Sequence, residues 1–127
     1  MKRFYVSIIV LLFFISCEKE NEVKEFEKQI SIVSADLPNT MRLGDQANLK
    51  LYIEFENPCA EFSRFERADF LTYTDLKAYG MYKEGNCLTL ITRDSVYLSF
   101  EAKRLGYYYF DFHLSNDSIV RDSIFVN

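Results

Sequence analysis

The sequence predicts an all-β protein whose main part is a single antiparallel sandwich of about seven strands. An apolar–polar alternation of period two runs through most of the chain from residue 29 onward. Turn residues recur roughly every 8 to 12 positions, as in sandwiches and barrels. The chain also has 12 Phe and 9 Tyr but no Trp, and aromatic side chains pack well on pleated strands.

The first two strands are predicted on either side of a turn at residues 43–45. Ile30 and Ile32 alternate with polar neighbours in the first. In the second, the apolar positions are Ala47, Leu49, Leu51, Ile53 and Phe55. Such alternation indicates one buried and one solvated face. Pro58 then ends the strand, because proline cannot join a central ladder.

The middle of the chain leaves alternatives open. Phe62 and Phe65 are three residues apart within 59–67, which fits a short helical turn or an irregular strand. Residues 70–82 predict one or two strands with a bulge at Gly80. Further strands are expected at Leu88 to Leu90, 96–100, 107–114 and 119–126, the last two joined by a hairpin turn at 116–118.

The N-terminus has the layout of a secretory signal: two basic residues, an apolar run from Phe4 to Ile15, and the small residue Ser16. A comfortable transmembrane helix needs about 20 apolar residues. The tetrapeptide that ends at Cys17 resembles a lipobox, which implies that residues 1–16 are removed and that Cys17 carries lipid. An ordinary signal peptide with an incidental cysteine, or an uncleaved anchor, is the alternative.

Residues 17–28 are expected to be the lipidated cysteine and a charged tether, with the folded domain at 29–127. The acidic patch behind Cys17 resembles the surface-export signal of Bacteroidota lipoproteins, although such charge runs are usually solvated linkers. Loss of Lys2 and Arg3 with the signal would change the formal charge from −4 to −6. A net acidic chain without a basic cluster argues against a nucleic-acid partner.

The two remaining cysteines, Cys59 and Cys87, are predicted to form one disulfide, because exported thiols are expected to oxidise. Two free thiols or a metal pair are the alternatives. A closed zinc site needs four ligands, and the only histidine of the chain is His113. We therefore expect neither a metal nor a cofactor.

No catalytic motif is found: the sequence has no nucleophile elbow, zinc-protease motif or phosphate loop. His113 lies on the polar side of a predicted strand, where an exposed or edge histidine is expected. Nothing in the sequence supplies it with a nucleophile or a ligand set. The chain is therefore not expected to be an enzyme.

A family resemblance rests on Gly106-Tyr107-Tyr108. A glycine turn followed by an inward tyrosine at the start of the penultimate strand resembles the tyrosine corner of immunoglobulin-like sandwiches. The resemblance implies an immunoglobulin-like domain, although Cys59 and Cys87 do not fit the disulfide of that framework. The chain from residue 17 to 127 is also similar to small Bacteroidota lipoproteins of unknown function.

Two sets of residues are candidates for function. Tyr107 and Tyr109 are predicted opposite the core face, with Tyr52 joining them across a sheet, as a ligand-binding surface or merely as cover for a sheet face. Three serines, each preceded by Asp and followed by an apolar residue, resemble the O-glycan acceptor of exported Bacteroidota proteins, or are ordinary turn residues. They are Ser95, Ser118 and Ser123.

The sequence thus predicts a non-catalytic binding or accessory module of the cell envelope, an outer-membrane lipoprotein facing the periplasm or the surface. Its lipid would hold it to the membrane, and its partner would be an unknown protein or glycan. One alternative is an inhibitor or immunity-type lipoprotein that blocks a periplasmic hydrolase with an acidic loop at Glu61 to Asp69. Another is a structural subunit of an envelope complex.

Overall fold

The computed structural model describes residues 24–127, which form eight β-strands. These are β1 (Glu25–Asp36), β2 (Thr40–Met41), β3 (Gln46–Phe55), β4 (Ala60–Asp69), β5 (Tyr73–Lys83), β6 (Thr92–Glu101), β7 (Gly106–His113) and β8 (Ile119–Val126). They build one curled sheet in the order β2-β8-β7-β5-β1-β3-β6, and β4 pairs with β5. The predicted all-β class is confirmed.

The long strand β1 joins the two halves of this sheet. Its first part, residues 25–30, pairs with β5, and its second part, residues 31–36, pairs with β3. The register shifts between Ile32 and Ser34, and such a bulge bends and twists a strand. One half therefore contains β1, β3 and β6, and the other contains β1, β5, β4, β7, β8 and β2.

The inner faces of the two halves meet in one hydrophobic core. Its fully buried side chains include Ile32, Leu51, Ile53, Leu76, Ala78, Phe110, Phe112 and Ile124. The ring of Phe100 on β6 lies 5.1 Å from that of Phe110 on β7, so aromatic contacts connect the halves. The predicted alternation in β3 is confirmed, since Leu49, Leu51, Ile53 and Phe55 are all buried.

Two strand pairs are parallel, which corrects the expectation of a purely antiparallel sheet. β5 pairs with β7 in parallel, as does β2 with β8. Between β5 and β7 the chain crosses to the other half to form β6, and it then returns in the same direction. A connection through another strand of this kind permits a parallel pair, whereas a tight hairpin permits only an antiparallel one.

The last residues of the predicted tether belong to the sheet, and β4 is an edge strand with one bulge. Residues 25–28 already belong to β1, because their main chain pairs with β5 from Lys28↔Gly80 to Glu25↔Lys83. The predicted signal peptide, Cys17 and residues 18–23 of the predicted tether lie outside the described residues. In β4, both Phe62 and Phe65 pack against the core, which decides against a helical turn.

Three other local expectations are decided by the structure. Gly80 lies in the unbroken strand β5, and the bulge falls in β4 between Phe62 and Arg64. Leu88 and Leu90 lie in the exposed connection between β5 and β6, not in a strand. The hairpin turn at 116–118 is confirmed, with the amide of Leu114 donating to the carbonyl of Ser118.

The predicted disulfide between Cys59 and Cys87 is present. It connects the start of β4 to the loop behind β5 and closes a sequence separation of 28 residues. The amide of Lys83 also donates to the carbonyl of Cys59. The bridge therefore fixes the end of the molecule at which β1 begins.

Candidate functional site

An aromatic strip lies on the outer face of the sheet, opposite the core. We define it as Tyr73, Tyr107, Tyr109 and Phe125. The rings of Tyr107 and Tyr109 are stacked with centroids 6.3 Å apart, and Phe125 lies 5.0 Å from Tyr107. Tyr73 is the register partner of Tyr109 across β5 and β7. Tyr107 is 61% exposed, so the strip offers ring faces to the solvent.

A fixed ion pair borders the strip. Arg121 donates from Nε and Nη2 to the two carboxylate oxygens of Asp111, at 2.6 and 2.9 Å. The guanidinium also lies 5.4 Å from the centroid of Tyr109. Asp111 is 6% exposed; the hydrogen bonds from Arg121 outweigh its burial and lower the pKa of the carboxyl. The strip thus has a charged, oriented edge.

His113 is buried and not exposed, which corrects the sequence prediction. The parallel register of β5 and β7 brings Asp75 beside it, so that its Nε2 lies 2.6 Å from Oδ1 of Asp75. Its Nδ1 is the one buried side-chain nitrogen or oxygen of residues 24–127 without a hydrogen-bond partner. Within these residues, no serine or cysteine is hydrogen-bonded to the imidazole.

Tyr52 does not join Tyr107 and Tyr109. It lies on β3 in the other half of the sheet, and the order places β5 and β1 between β3 and β7. Its hydroxyl donates to Oδ2 of Asp36 at 2.7 Å, which raises the pKa of the phenol. The prediction that Tyr52 belongs to the same surface is therefore wrong, because the curl of the sheet separates β3 from β7.

The expected acidic loop at 61–69 is part of the edge strand β4. Its carboxylates alternate with cations that form ion pairs: Arg64 lies 2.7 Å from Glu27 on β1, and Arg67 lies 2.9 Å from Asp69 within β4. Pairing along β5 fixes this segment as a strand of mixed charge. The segment is therefore a strand and not the acidic loop that was expected for the inhibitor alternative.

The three candidate serines occupy different environments. Ser118 is exposed in the turn between β7 and β8, whereas Ser95 and Ser123 are half-buried in β6 and β8. The amides of Ser95 and Ser123 donate to the preceding aspartates, at 2.7 and 2.8 Å. Ser118 is consequently the most accessible of the three hydroxyls.

The structure also contains a cleft that the sequence did not indicate. It has a volume of about 850 Å³ and lies between the end of β4, the end of β6 and the loops that follow them. Phe100 and Val126 of the core reach its wall, and Phe70 and Leu71 stand at its rim, 50% and 76% exposed. The cleft thus reaches down to the edge of the core, although Phe100 and Val126 themselves are buried.

A chain of hydrogen bonds crosses the wall of the cleft. The Tyr108 hydroxyl lies 2.7 Å from Oγ1 of Thr74, which donates to Asp69 over the same distance. Arg67 donates from Nε to Asp69 and from Nη1 to the carbonyl of Ser99 on β6. Burial raises the pKa of Asp69, but the bonds from Thr74 and Arg67 outweigh it, so the pKa is lowered.

The β4 residues that line the cleft can be recognised only when the register of β4 against β5 is known. Arg67 and Asp69 pair with Leu76 and Thr74 of β5, both fully buried, and therefore point to the interior side of the sheet. In the sequence alone they read as ordinary polar positions of a charged segment. The bulge at Ser63 hides the alternation that would reveal their side.

No known protein family, curated protein or solved structure matches this chain. Within residues 24–127 the chain forms no helix long and apolar enough to cross a membrane. The same residues hold no group of three or more His, Cys, Asp or Glu side chains placed to bind a metal ion.

Proposed function

We propose that this protein is a lipid-anchored, non-catalytic binding module of the bacterial cell envelope that recognises a glycan through its aromatic strip. The stacked pair formed by Tyr107, which is exposed, and Tyr109, which is half-buried, carries the proposal. Tyrosine combines an apolar ring, which packs on the C–H face of a sugar, with a hydroxyl that hydrogen-bonds.

The surroundings of the strip support a polar ligand. The Asp111–Arg121 pair holds a guanidinium beside Tyr109, and Ser123 is the register partner of Tyr109 on β8. Oriented donors beside a flat apolar surface suit a saccharide ring, which presents hydroxyls around an apolar face. A protein partner on the same strip is the second candidate, since tyrosine and arginine are also enriched at protein interfaces.

The strip is tested with matched variants on a panel of immobilised envelope polysaccharides and oligosaccharides. Tyr107→Ser with Tyr109→Ser is expected to weaken glycan binding at least tenfold. Tyr97→Ser is the control, because Tyr97 is 64% exposed but lies on β6 in the other half. Glycan binding that survives the double substitution, or a wild type that binds no glycan, contradicts the proposal.

The anchor is a separate part of the proposal. Cys17 would carry the lipid, and the short segment up to Lys24 would connect it to β1. Labelling of cells with a radioactive fatty acid should label the wild type and not Cys17→Ala. Protease digestion on intact cells then distinguishes a surface-exposed domain from a periplasmic one. A periplasmic position would favour the inhibitor alternative.

The fold assignment within the proposal is an immunoglobulin-like sandwich. Two facing halves around one core support it, as does Gly106, which has a φ of 100° directly before the Tyr107-Tyr108 pair. We also include an O-glycan on Ser118, the exposed candidate. Intact mass of the protein from its native host, compared with Ser118→Ala, should show a loss of hexose-sized increments; equal masses apart from the substitution contradict it.

A further inference from the structure

The cleft begins where the residues of β4 that point to the interior side change from apolar to charged. Five residues of β4 point to the interior side, opposite buried residues of β5: Ala60, Phe62, Phe65, Arg67 and Asp69. The first three are apolar and pack against the core. The last two are charged and line the cleft. A hydrophobic interior that ends in placed charges is the usual composition of a small-molecule site.

We propose that this cleft binds a small organic anion with an apolar body, of the chemical class of a medium-chain fatty acid. The apolar body would lie along Phe70, Leu71 and Phe100. The anionic head would lie beside Lys103 and Arg104. This site is separate from the lipid on Cys17. It adjoins the aromatic strip, because the ring of Phe70 stacks on that of Tyr73 with centroids 4.5 Å apart.

The charges around the cleft favour an anion. The carboxylate of Asp69 already accepts hydrogen bonds from Thr74 and Arg67. Nζ of Lys103 is 3.8 Å from Glu101, beyond hydrogen-bond distance. Arg104 forms no ion pair with any residue from 24 to 127. Glu101 also lines the cleft, but Lys103 and Arg104 retain donors for a ligand, and Asp69 already accepts hydrogen bonds from Thr74 and Arg67.

The geometry favours a compact amphiphile over an added peptide strand. Arg67 lies across the cleft and donates a hydrogen bond to the carbonyl of Ser99 on the free edge of β6. A peptide that paired with this edge would need that acceptor. The volume of about 850 Å³ lies within the range of roughly 300–1,000 Å³ typical of small-molecule pockets.

Calorimetric titration of the full chain carrying Cys17→Ala tests the proposal with four probes: decanoate, decyl phosphate, decanol and decylammonium. Both anions should bind, and the alcohol and the cation should bind at least tenfold more weakly. The stronger of the two anions tells whether a carboxylate or a phosphate head is preferred. Amide chemical shifts should move at residues 67–71 and 99–104.

Matched variants separate the head and body contacts. Lys103→Gln with Arg104→Gln should weaken decanoate binding about tenfold, and Leu71→Ser should do the same. Arg93→Gln and Leu90→Ser, which are exposed but lie away from the cleft, should bind like the wild type. Equal binding of decanol and decanoate, unchanged binding in the cleft variants, shifts elsewhere on the protein, or no binding at millimolar decanoate each overturns the proposal.

Discussion

The hydroxyl of Tyr108 donates a hydrogen bond to Oγ1 of Thr74, because Thr74 gives its only hydroxyl proton to Asp69. Both oxygen–oxygen distances are 2.7 Å. In the tyrosine corner that Gly106-Tyr107-Tyr108 resembles, the hydroxyl bonds to the main chain a few residues upstream. Here it reaches a side chain on β5, so Tyr108 ties β7 to the wall of the cleft.

Removal of either hydroxyl of this pair should destabilise the protein. Tyr108→Phe is expected to cost about 1 kcal/mol in the free energy of unfolding, the typical net value of a hydrogen bond. Thr74→Val should cost more, because it also takes a donor from Asp69. In urea unfolding of both single variants and the double variant, the costs should not add. Strict additivity would mean that the hydroxyls do not interact in solution.

The Asp111–Arg121 pair should make stability depend on pH in the acid range. Since the folded pKa of Asp111 is lowered, its contribution is present above the unfolded pKa of about 4. It is lost as the pH falls through the lowered folded value. Arg121→Gln should thus reduce the free energy of unfolding at neutral pH, and the difference from the wild type should shrink below about pH 4.

Arg93→Gln is the control for this pH series. Its guanidinium pairs with Glu54 at 3.1 Å, but the side chain is 72% exposed. Exposed ion pairs contribute about 0–1 kcal/mol, so little change is expected at any pH. A constant difference between wild type and Arg121→Gln from neutral pH down to about pH 2 would show that Arg121 acts through packing alone.

Loss of the disulfide should destabilise the folded domain strongly. A loop of this length contributes roughly 3–4 kcal/mol by restricting the unfolded chain. The double variant Cys59→Ala, Cys87→Ala should lose that amount in urea unfolding, and reductant should lower the stability of the wild type but not of the variant. A wild type unaffected by reductant under unfolding conditions would show that the two thiols are not bridged.

A methyl group at Gly80 should crowd the core. A Cβ at this position would lie 3.0 Å from Cγ2 of Ile30 and 3.1 Å from Cε1 of Phe55, both in the core. Gly80→Ala is therefore expected to cost about 1–3 kcal/mol, as overpacking does. Gly44→Asn is the comparison: nothing lies within 4 Å of its Cβ position, and asparagine adopts positive φ more readily than most residues. Equal stability of Gly80→Ala and wild type in thermal unfolding would contradict the packing.

The strands that the sequence predicted best are those with one uniformly buried face. β3 alternates without interruption because its inner residues all meet the other half of the core. For β4 the sequence left a helical turn and an irregular strand open, and the strand is confirmed; the bulge after Phe62 shifts its phase by one residue, so that Phe62 and Phe65 reach the same side. An alternation rule with a fixed period of two cannot follow such a shift.

Other features depend on contacts between distant segments. The parallel pairing of β5 and β7 buries His113 beside Asp75 and separates Tyr52 from the aromatic strip. Leu88 and Leu90 suggested a strand only because both side chains are apolar, but both are exposed. The cleft arises from the side on which Arg67 and Asp69 point, which only the register determines.

The position of β1 has a mechanical consequence. Force applied to the chain at Lys24 acts along β1 and shears the ladder from Glu25 to Ile30 against β5, so that several hydrogen bonds must break together. At the end of this ladder, the amide of Lys83 donates a hydrogen bond to the carbonyl of Cys59, which forms the disulfide with Cys87. A molecule pulled from its N-terminal end would thus resist first through its two longest strands, β1 and β5, whereas the cleft lies at the opposite end of β4.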